Sequence, residues 1–510
     1  MSLAGRYANA AEKREAARAA LSAESPIAIV DIGSNSVRLV IYDGASRRAA
    51  ALHNEKAICA IGRNMVRTGM LHESGSQQAL ETLARFRLLA RGFGVTTIEA
   101  VATAAARDAT NGPEFVRQAE KALGAPIKIL SGGDEARIAA EGVLAGIPEA
   151  DGLVGDLGGG SLDMITVSDG KTGTPATLPF GPLRLMDLSD GNLNKARAAV
   201  AKGLEKTKLG EPLKGRAFYA VGGIWRALAR VDMDYEQYPL HVLHFYRMPA
   251  GRALKLCRVV SGLSKKSLEK MSSVPKRRAE ALPYGALVLE QLISNYGLKE
   301  VVVSAFGLRE GLLQRLLGAG EGAKDPLIEY AVDMNARVSR LPVHGTELFA
   351  WMTPLFAKET PSERRVRRAF CLMADCGWRR HPDDRAAGAF QLVLKGNYAG
   401  ADHNERVLMA TAIYYRYAGD EDFPEEARIG GLLGPERAVV ALRLGLAARL
   451  AFGLSGSVPG ELTVMPLHMT NQTLSLEIPK KREALLGETV SKRLSDLAQA
   501  FGRKAQIVVG

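Results

Sequence analysis

Up to about residue 320 the chain alternates between two rhythms of apolar and polar positions. Short apolar runs ending in small residues predict strands over Thr97–Thr103, Ile127–Leu130, Ala217–Val221 and Val301–Ser304. A spacing of three to four residues between apolar positions predicts helices over Pro113–Leu123 and Asp134–Leu144. Such alternation of strand and helix is α/β punctuation. From about Lys324 only the helical rhythm remains, over Leu327–Arg340, Glu347–Phe356, Glu363–Gly377, Asp384–Lys395, His403–Tyr417 and Pro435–Gly453, and it predicts an α-bundle. The C-terminal stretch changes again, with strands expected at Leu462–Met465, Leu474–Ile478 and Ala505–Val509 and a helix at Glu488–Phe501. That is a small ββαβ appendage, with Gly453–Gly460 as its linker. The resulting division is a tail over 1–24, α/β domains over 25–150 and 151–320, a helical domain over 321–455 and an α+β domain over 456–510.

Comparing the chain with itself shows a repeat about 125 residues apart. Ile29-Val30-Asp31-Ile32-Gly33-Ser34-Asn35-Ser36 aligns with Val154-Gly155-Asp156-Leu157-Gly158-Gly159-Gly160-Ser161. Each copy is an apolar run ending in Asp, a small-residue tip and a returning strand, which describes a β-hairpin. Glycines are expected to let these tips turn with positive φ and approach a ligand, so that successive N–H groups converge on an anion. Ser34, Asn35, Ser36 and Ser161 add side-chain donors. Gly222-Gly223, after the strand Ala217–Val221, forms a third loop at a strand end, where open α/β sheets bind ligands.

Charge and cysteine content narrow the class of partner. The formal charge of +12 favours an anion, whether polyphosphate, nucleotide, nucleic acid or acidic membrane. Basic runs such as Lys276-Arg277-Arg278 read as solvated helix faces. Four cysteines in 510 residues make no disulfide framework, which fits a reducing cytoplasm. No uncharged apolar run reaches the roughly 18 residues of a membrane span, and the first 24 residues lack the apolar centre of a secretory signal.

Six segments, in order, resemble the exopolyphosphatase and guanosine pentaphosphate phosphohydrolase family. They are Asp31–Ser36, Ala102–Ala109, Ser131–Arg137, Asp156–Ser161, Gly222-Gly223 and Ser304–Gly311, and the resemblance spans about residues 26–315. It implies two actin-like (ribonuclease H-like) domains around a cleft, a magnesium-dependent reaction, and Glu135 as the catalytic carboxylate that orients water or takes its proton. Arg107 matches the family arginine, suited to taking two phosphate oxygens. Arg38 either reaches the same cleft or is a surface strand arginine. Asp31 and Asp156 become magnesium candidates; Asp163, where relatives carry Glu, keeps the charge with a shorter reach.

In the helical half, long family members carry a domain related to metal-dependent HD phosphohydrolases. Here Ala374 precedes Asp375, so one imidazole of the His-Asp pair is missing, although His381, His403 and Asp384 lie nearby in sequence. The two histidines cap helices or, with Arg364, Arg367, Arg379, Arg380 and Arg385, line a channel that guides a polyanion. The expected activity is release of orthophosphate from the end of inorganic polyphosphate. Guanosine pentaphosphate hydrolysis is the alternative at the same site, with guanosine tetraphosphate a further ligand and a homodimer implied by long family members. An actin-like kinase or ATPase, and a non-catalytic alarmone sensor, are the readings from other classes.

Overall fold

Nearly continuous burial of β1 (Ile27–Ile32) and β2 (Ser36–Tyr42) centres the first sheet, completed by β3 (Ala51–Ile58), β4 (Thr97–Ala102) and β5 (Ile127–Ile129), in a computed structural model that describes residues 25–419, 423 and 425–510. The expected tail over 1–24 lies outside the described residues. The second sheet holds β6 (Gly152–Leu157), β7 (Leu162–Ser168), β8 (Lys171–Leu178), β9 (Ala217–Val221), β10 (Arg247–Pro249) and β11 (Glu300–Val303). Their orders, β3-β2-β1-β4-β5 and β10-β11-β9-β6-β7-β8, share one plan, an antiparallel three-strand meander followed by parallel strands reached through helices, to which the second sheet adds β10 as an antiparallel edge.

The repeat is therefore structural. Asp31 pairs with Arg38 across the first hairpin, and Asp156 with Asp163 at the equivalent place in the second. Both tips close with the same bond, Gly33 N to Ser36 O and Gly158 N to Ser161 O, each 3.0 Å.

Two helices are exchanged between the sheets, which a cut at residue 150 does not anticipate. Helix Gly132–Gly146 follows the first sheet in sequence, yet its Ala136, Ala140 and Val143 pack with Val154, Ile165 and Tyr219 of the second. Helix Leu308–Leu316 follows the second sheet, yet its Leu312 and Leu313 pack with Ile29, Val40 and Val101 of the first. They cross so closely that a Cβ on Gly142 would lie 2.0 Å from the Gly307 carbonyl oxygen, and one on Gly311 1.8 Å from that of Ile138. Larger residues would push the helices apart, and with them the two sheets.

By its contacts the chain separates into two compact units, one ending at Ala323 and the other Lys324–Gly510. The second contains the expected helices, including Pro361–Met373, His403–Ala418 and Pro435–Ser455. By length and composition Pro435–Ser455 is apolar enough to cross a membrane, and it is more than half buried inside this unit. The C-terminal strands β12 (Leu467–Met469), β13 (Thr473–Ile478) and β14 (Lys504–Val509) form a sheet in the order β12-β13-β14, with helix Glu488–Ala500 crossing between the parallel pair. The ββαβ order is as expected, but the first strand starts later. Leu462–Val464 is a 3-10 turn instead, with Leu462 buried, and pairing begins only after Pro466, which has no N–H to donate. Helix and sheet regions here are one unit rather than two, stitched by Trp351 Nε1 to Met465 O (2.7 Å), Gly460 N to Glu347 Oε1 (2.7 Å) and Arg443 Nε to Ala500 O (2.9 Å). Gly453 therefore belongs to a helix and not to a linker.

Candidate active site

The two hairpin tips face one cleft of about 260 Å³, bordered also by the Gly222-Gly223 turn and the N-terminal turn of helix Gly132–Gly146. Water takes up about 30 Å³ in the liquid, so several phosphate groups or waters fit. The tips' carbonyls are turned away and occupied: Ser34 O accepts from Gly62 N (2.8 Å), Asn35 O from Ala60 N (3.0 Å) and Gly159 O from Leu183 N (3.1 Å). The N–H groups of Ser34, Asn35, Gly159 and Gly160 have no partner among the described residues. Donors presented in series with their acceptors withdrawn make an anion site.

The glycines do a different job from the expected one. Gly33, Gly158, Gly159, Gly160 and Gly223 do not have positive φ; of the predicted site glycines only Gly222 does, at +112°, where a Cβ would lie 2.6 Å from Leu157 O. A Cβ on Gly33, Gly158 or Gly160 would meet no protein atom closer than 3.4 Å. Nothing in the fold itself forbids a side chain there. The space that the missing side chains leave lies along the cleft, and it lets a ligand approach the free N–H groups. Gly223 instead makes room for Arg278, whose guanidinium would lie 2.5 Å from a Cβ there and donates to Gly223 O.

At one end of the cleft the carboxylates gather. Glu135 sits in the first turn of its helix, capped by Ser131, whose hydroxyl accepts from Asp134 N at 3.1 Å. Burial, then the charge of Asp163, holds Glu135 well above the usual carboxylate range, against the pull of Arg107. Burial and Asp163 likewise push Asp156 up to about 7. Asp163 is buried; Ser161 Oγ donates to its Oδ2 at 2.8 Å and the Thr177 side chain also favours its charged form, while Oδ1 makes no hydrogen bond of ordinary length among the described residues. Asp31 differs, for Arg309 Nη1 stands 3.4 Å from its Oδ2.

These acids fit a divalent cation. An orphaned buried oxygen on Asp163 beside an Asp156 whose carboxyl is pushed up by burial and by Asp163 is an arrangement that a cation would relieve. Among the described residues no three His, Cys, Asp or Glu side chains form a metal cage. Magnesium does not ask for one, since it takes one or two carboxylates with waters and phosphate oxygens. Asp156 and Asp163 are the available pair, Asp31 being engaged by Arg309.

Arg107 and Arg38 stand elsewhere than on the cleft wall. Arg107 is committed to the protein: Nη1 donates to Glu135 Oε1 (2.7 Å) and Leu130 O (2.9 Å), and Nε to Asp108 Oδ1 (3.0 Å). It holds Glu135. Arg38 Nε donates to Asn54 Oδ1 across the neighbouring strand at 2.9 Å. The cations that do line the cleft are Lys56, Arg226, Arg277, Arg278 and Arg309. In the basic run Lys276 and Arg277 are exposed, as the reading of a solvated face expects, but Arg278 is half-buried and both arginines border the cleft. Arg309 lay in a segment carrying the family resemblance, while Lys56, alone on an alternating strand, gave no signal. Partial burial and the charges of Arg278, Arg38 and Arg277 push Lys56 down to about 8, and burial with Arg309 pushes Arg226 down to about 10. Of the cations lining the cleft only Arg309 has a carboxylate partner within 4 Å among the described residues, Asp31, and the mutual repulsion of the others suits a polyanion.

In the second unit the expected alternatives resolve separately. His381 caps a short 3-10 turn, accepting from Asp383 N at 3.4 Å, and is exposed; His403 is buried at the start of helix His403–Ala418. Asp375 is taken by Arg340 and Arg416. Arg367 lines no channel: it is buried, with Nε and Nη2 on Glu359 at 2.8 and 2.6 Å.

Comparison with known proteins gives the chain's family. Exopolyphosphatase 2 of Mycobacterium tuberculosis is 25% identical over 315 residues, 57% of this chain and 98% of that protein. Retrograde regulation protein 2 of Saccharomyces cerevisiae is 26% identical over 451 residues, 78% of this chain and 74% of that one. The crystal structure of an exopolyphosphatase from Cytophaga hutchinsonii shares the fold, with a TM-score of 0.52 at 20% identity over 57% of this chain and 96% of that one. The profile of the Ppx/GppA phosphatase family matches residues 40–319 and that of the exopolyphosphatase C-terminal region residues 327–508, so the chain belongs to the Ppx/GppA phosphatase family.

Proposed function

We infer that this chain is an exopolyphosphatase, a hydrolase that removes the terminal phosphoryl group of inorganic polyphosphate as orthophosphate. The observation that carries the reading is the pair of tips with unpartnered N–H groups beside Glu135 in a cleft whose other wall is cationic. The tips hold the terminal phosphates, and Lys56, Arg226, Arg277 and Arg278 take the phosphates behind them. Glu135 orients the attacking water and accepts its proton. Its raised pKa brings the carboxylate toward neutral pH, where a general base is most effective. Asp156 and Asp163 would hold magnesium, which when bound offsets charge on the phosphate oxygens. Arg107 keeps Glu135 in place.

The row of cations favours a polymer over a single nucleotide, because each phosphate neutralised adds affinity. The deciding experiment is turnover of polyphosphate and of guanosine pentaphosphate by the purified chain with magnesium, side by side. Faster phosphate release per enzyme from polyphosphate is expected. Release from guanosine pentaphosphate alone would reassign the substrate, and ATP-dependent phosphorylation of an acceptor without phosphate release would move the chain to the kinases.

A further inference from the structure

Charged side chains around Glu135 form a relay that links helices following the two sheets. Glu135 Oε1 accepts from Arg107 Nη1 at 2.7 Å, Arg107 Nε donates to Asp108 Oδ1 at 3.0 Å, and Arg184 Nη1 stands 3.6 Å from Asp108 Oδ2. Arg107 and Asp108 belong to helix Ala104–Asp108, which follows β4 of the first sheet. Arg184 belongs to helix Pro182–Leu188, which follows β8 of the second.

The helix bearing Arg184 is fastened to a phosphate tip. Leu183 N and Arg184 N both donate to Gly159 O, at 3.1 and 3.4 Å. A Cβ on Gly181 would lie 2.4 Å from the Gly159 backbone, so the two segments touch main chain to main chain. The Gly159 N–H, one atom group away on the same tip, has no partner among the described residues. An anion bound to the tip therefore acts on a loop whose carbonyl sets the start of Arg184's helix.

We propose that Arg184 is a positioning residue that ties occupation of the second phosphate tip to the orientation of Glu135, through Asp108 and Arg107. The inference rests on the reading of Glu135 as the group that activates water. Arg184 and Asp108 are each about one-third exposed, at 34% and 35%, and such a pair adds little to stability. Its role is geometric, since misplacing a reacting group by an ångström costs on the order of a hundredfold in rate.

The test uses the intact chain with magnesium and polyphosphate. Arg184→Ala is expected to lower kcat about tenfold or more while KM moves less than about twofold, and Arg184→Lys to recover most of the loss. Adding Asp108→Asn to Arg184→Ala should lower kcat no further than the worse single change, because both cut the same relay. Amide exchange over residues 103–109 should quicken in Arg184→Ala. An unchanged kcat, a change in KM alone, or losses that multiply in the double variant would overturn the proposal. If the unaltered chain released no phosphate from polyphosphate, the functional reading would fall, and exchange over residues 103–109 would then decide the relay: no change in Arg184→Ala overturns it.

Discussion

Asp163 in the cleft and Asp375 in the helical unit are both buried aspartates, and their surroundings are opposite. Asp163 shares its site with Asp156 and Glu135 and leaves Oδ1 without a partner among the described residues. Asp375 has both oxygens engaged: Arg340 donates from its backbone N, Nε and Nη2 at 3.0, 2.9 and 2.8 Å, and Arg416 Nη2 stands at 3.4 Å. The aromatic rings of Tyr417 and Phe452 each lie 3.9 Å from the Arg416 guanidinium and close the network. A buried carboxylate satisfied by guanidinium is a structural element. One left wanting a cation, next to others like it, is a place for a ligand. The same residue type thus marks a candidate reaction site in one unit and a strut in the other, and its neighbours make the difference.

The comparison breaks most directly at Glu135. Replacing it with Ala should cut phosphate release about 10²- to 10⁴-fold while polyphosphate binding is largely kept, measured by single-turnover release and equilibrium binding. Near-normal turnover would remove Glu135 from the chemistry. The next effect is on stability: Asp375→Ala strips Arg340 and Arg416 of their buried partner and should cost about 3 kcal/mol, read from denaturant melts of the helical unit. A neutral outcome would mean the network is idle.

The smallest effect depends on pH. His344, buried beside Asp375 and Arg416, has no partner on either ring nitrogen among the described residues, and burial pushes its imidazole down from 6.5 to about 4. A depressed folded-state value means the contribution is whole above about 6.5 and is lost as pH falls through 4, a change of at most about 3 kcal/mol. His344→Phe should therefore narrow the stability difference between pH 7 and pH 4.5, followed by amide exchange in helix Pro361–Met373. An identical difference in both proteins would remove His344 as its source.

Legibility varied along the chain for physical reasons. Elements with strong periodicity were readable: Ala217–Val221 is a strand over the expected residues, and Gly112–Leu123 differs from expectation by one position. Leu462–Met465 looked like a strand because three of its four residues are apolar, but a segment that short has no period to separate strand from turn. The hairpin tips were visible because a repeat doubles a weak signal. The cationic wall was not, because Lys56 and Arg278 are 222 positions apart and become neighbours only when the two sheets face each other. Arg107 was recognised by its motif, yet its partners, Leu130, Asp108 and Glu135, are a matter of side-chain geometry.

The sequence by itself determined the duplicated Asp-to-Ser hairpins, the change from α/β to helical rhythm near Lys324, and the presence of Glu135 at the start of a helix, since each rests on local spacing and backbone preference. Tertiary structure alone decided that two helices trade sheets through Gly142 and Gly311, that the tip glycines open space instead of turning left-handed, and that Asp163 keeps an oxygen without a partner among the described residues while Asp375 is clasped by two arginines. Burial and charge pairing depend on what distant segments bring alongside, and no local spacing encodes that.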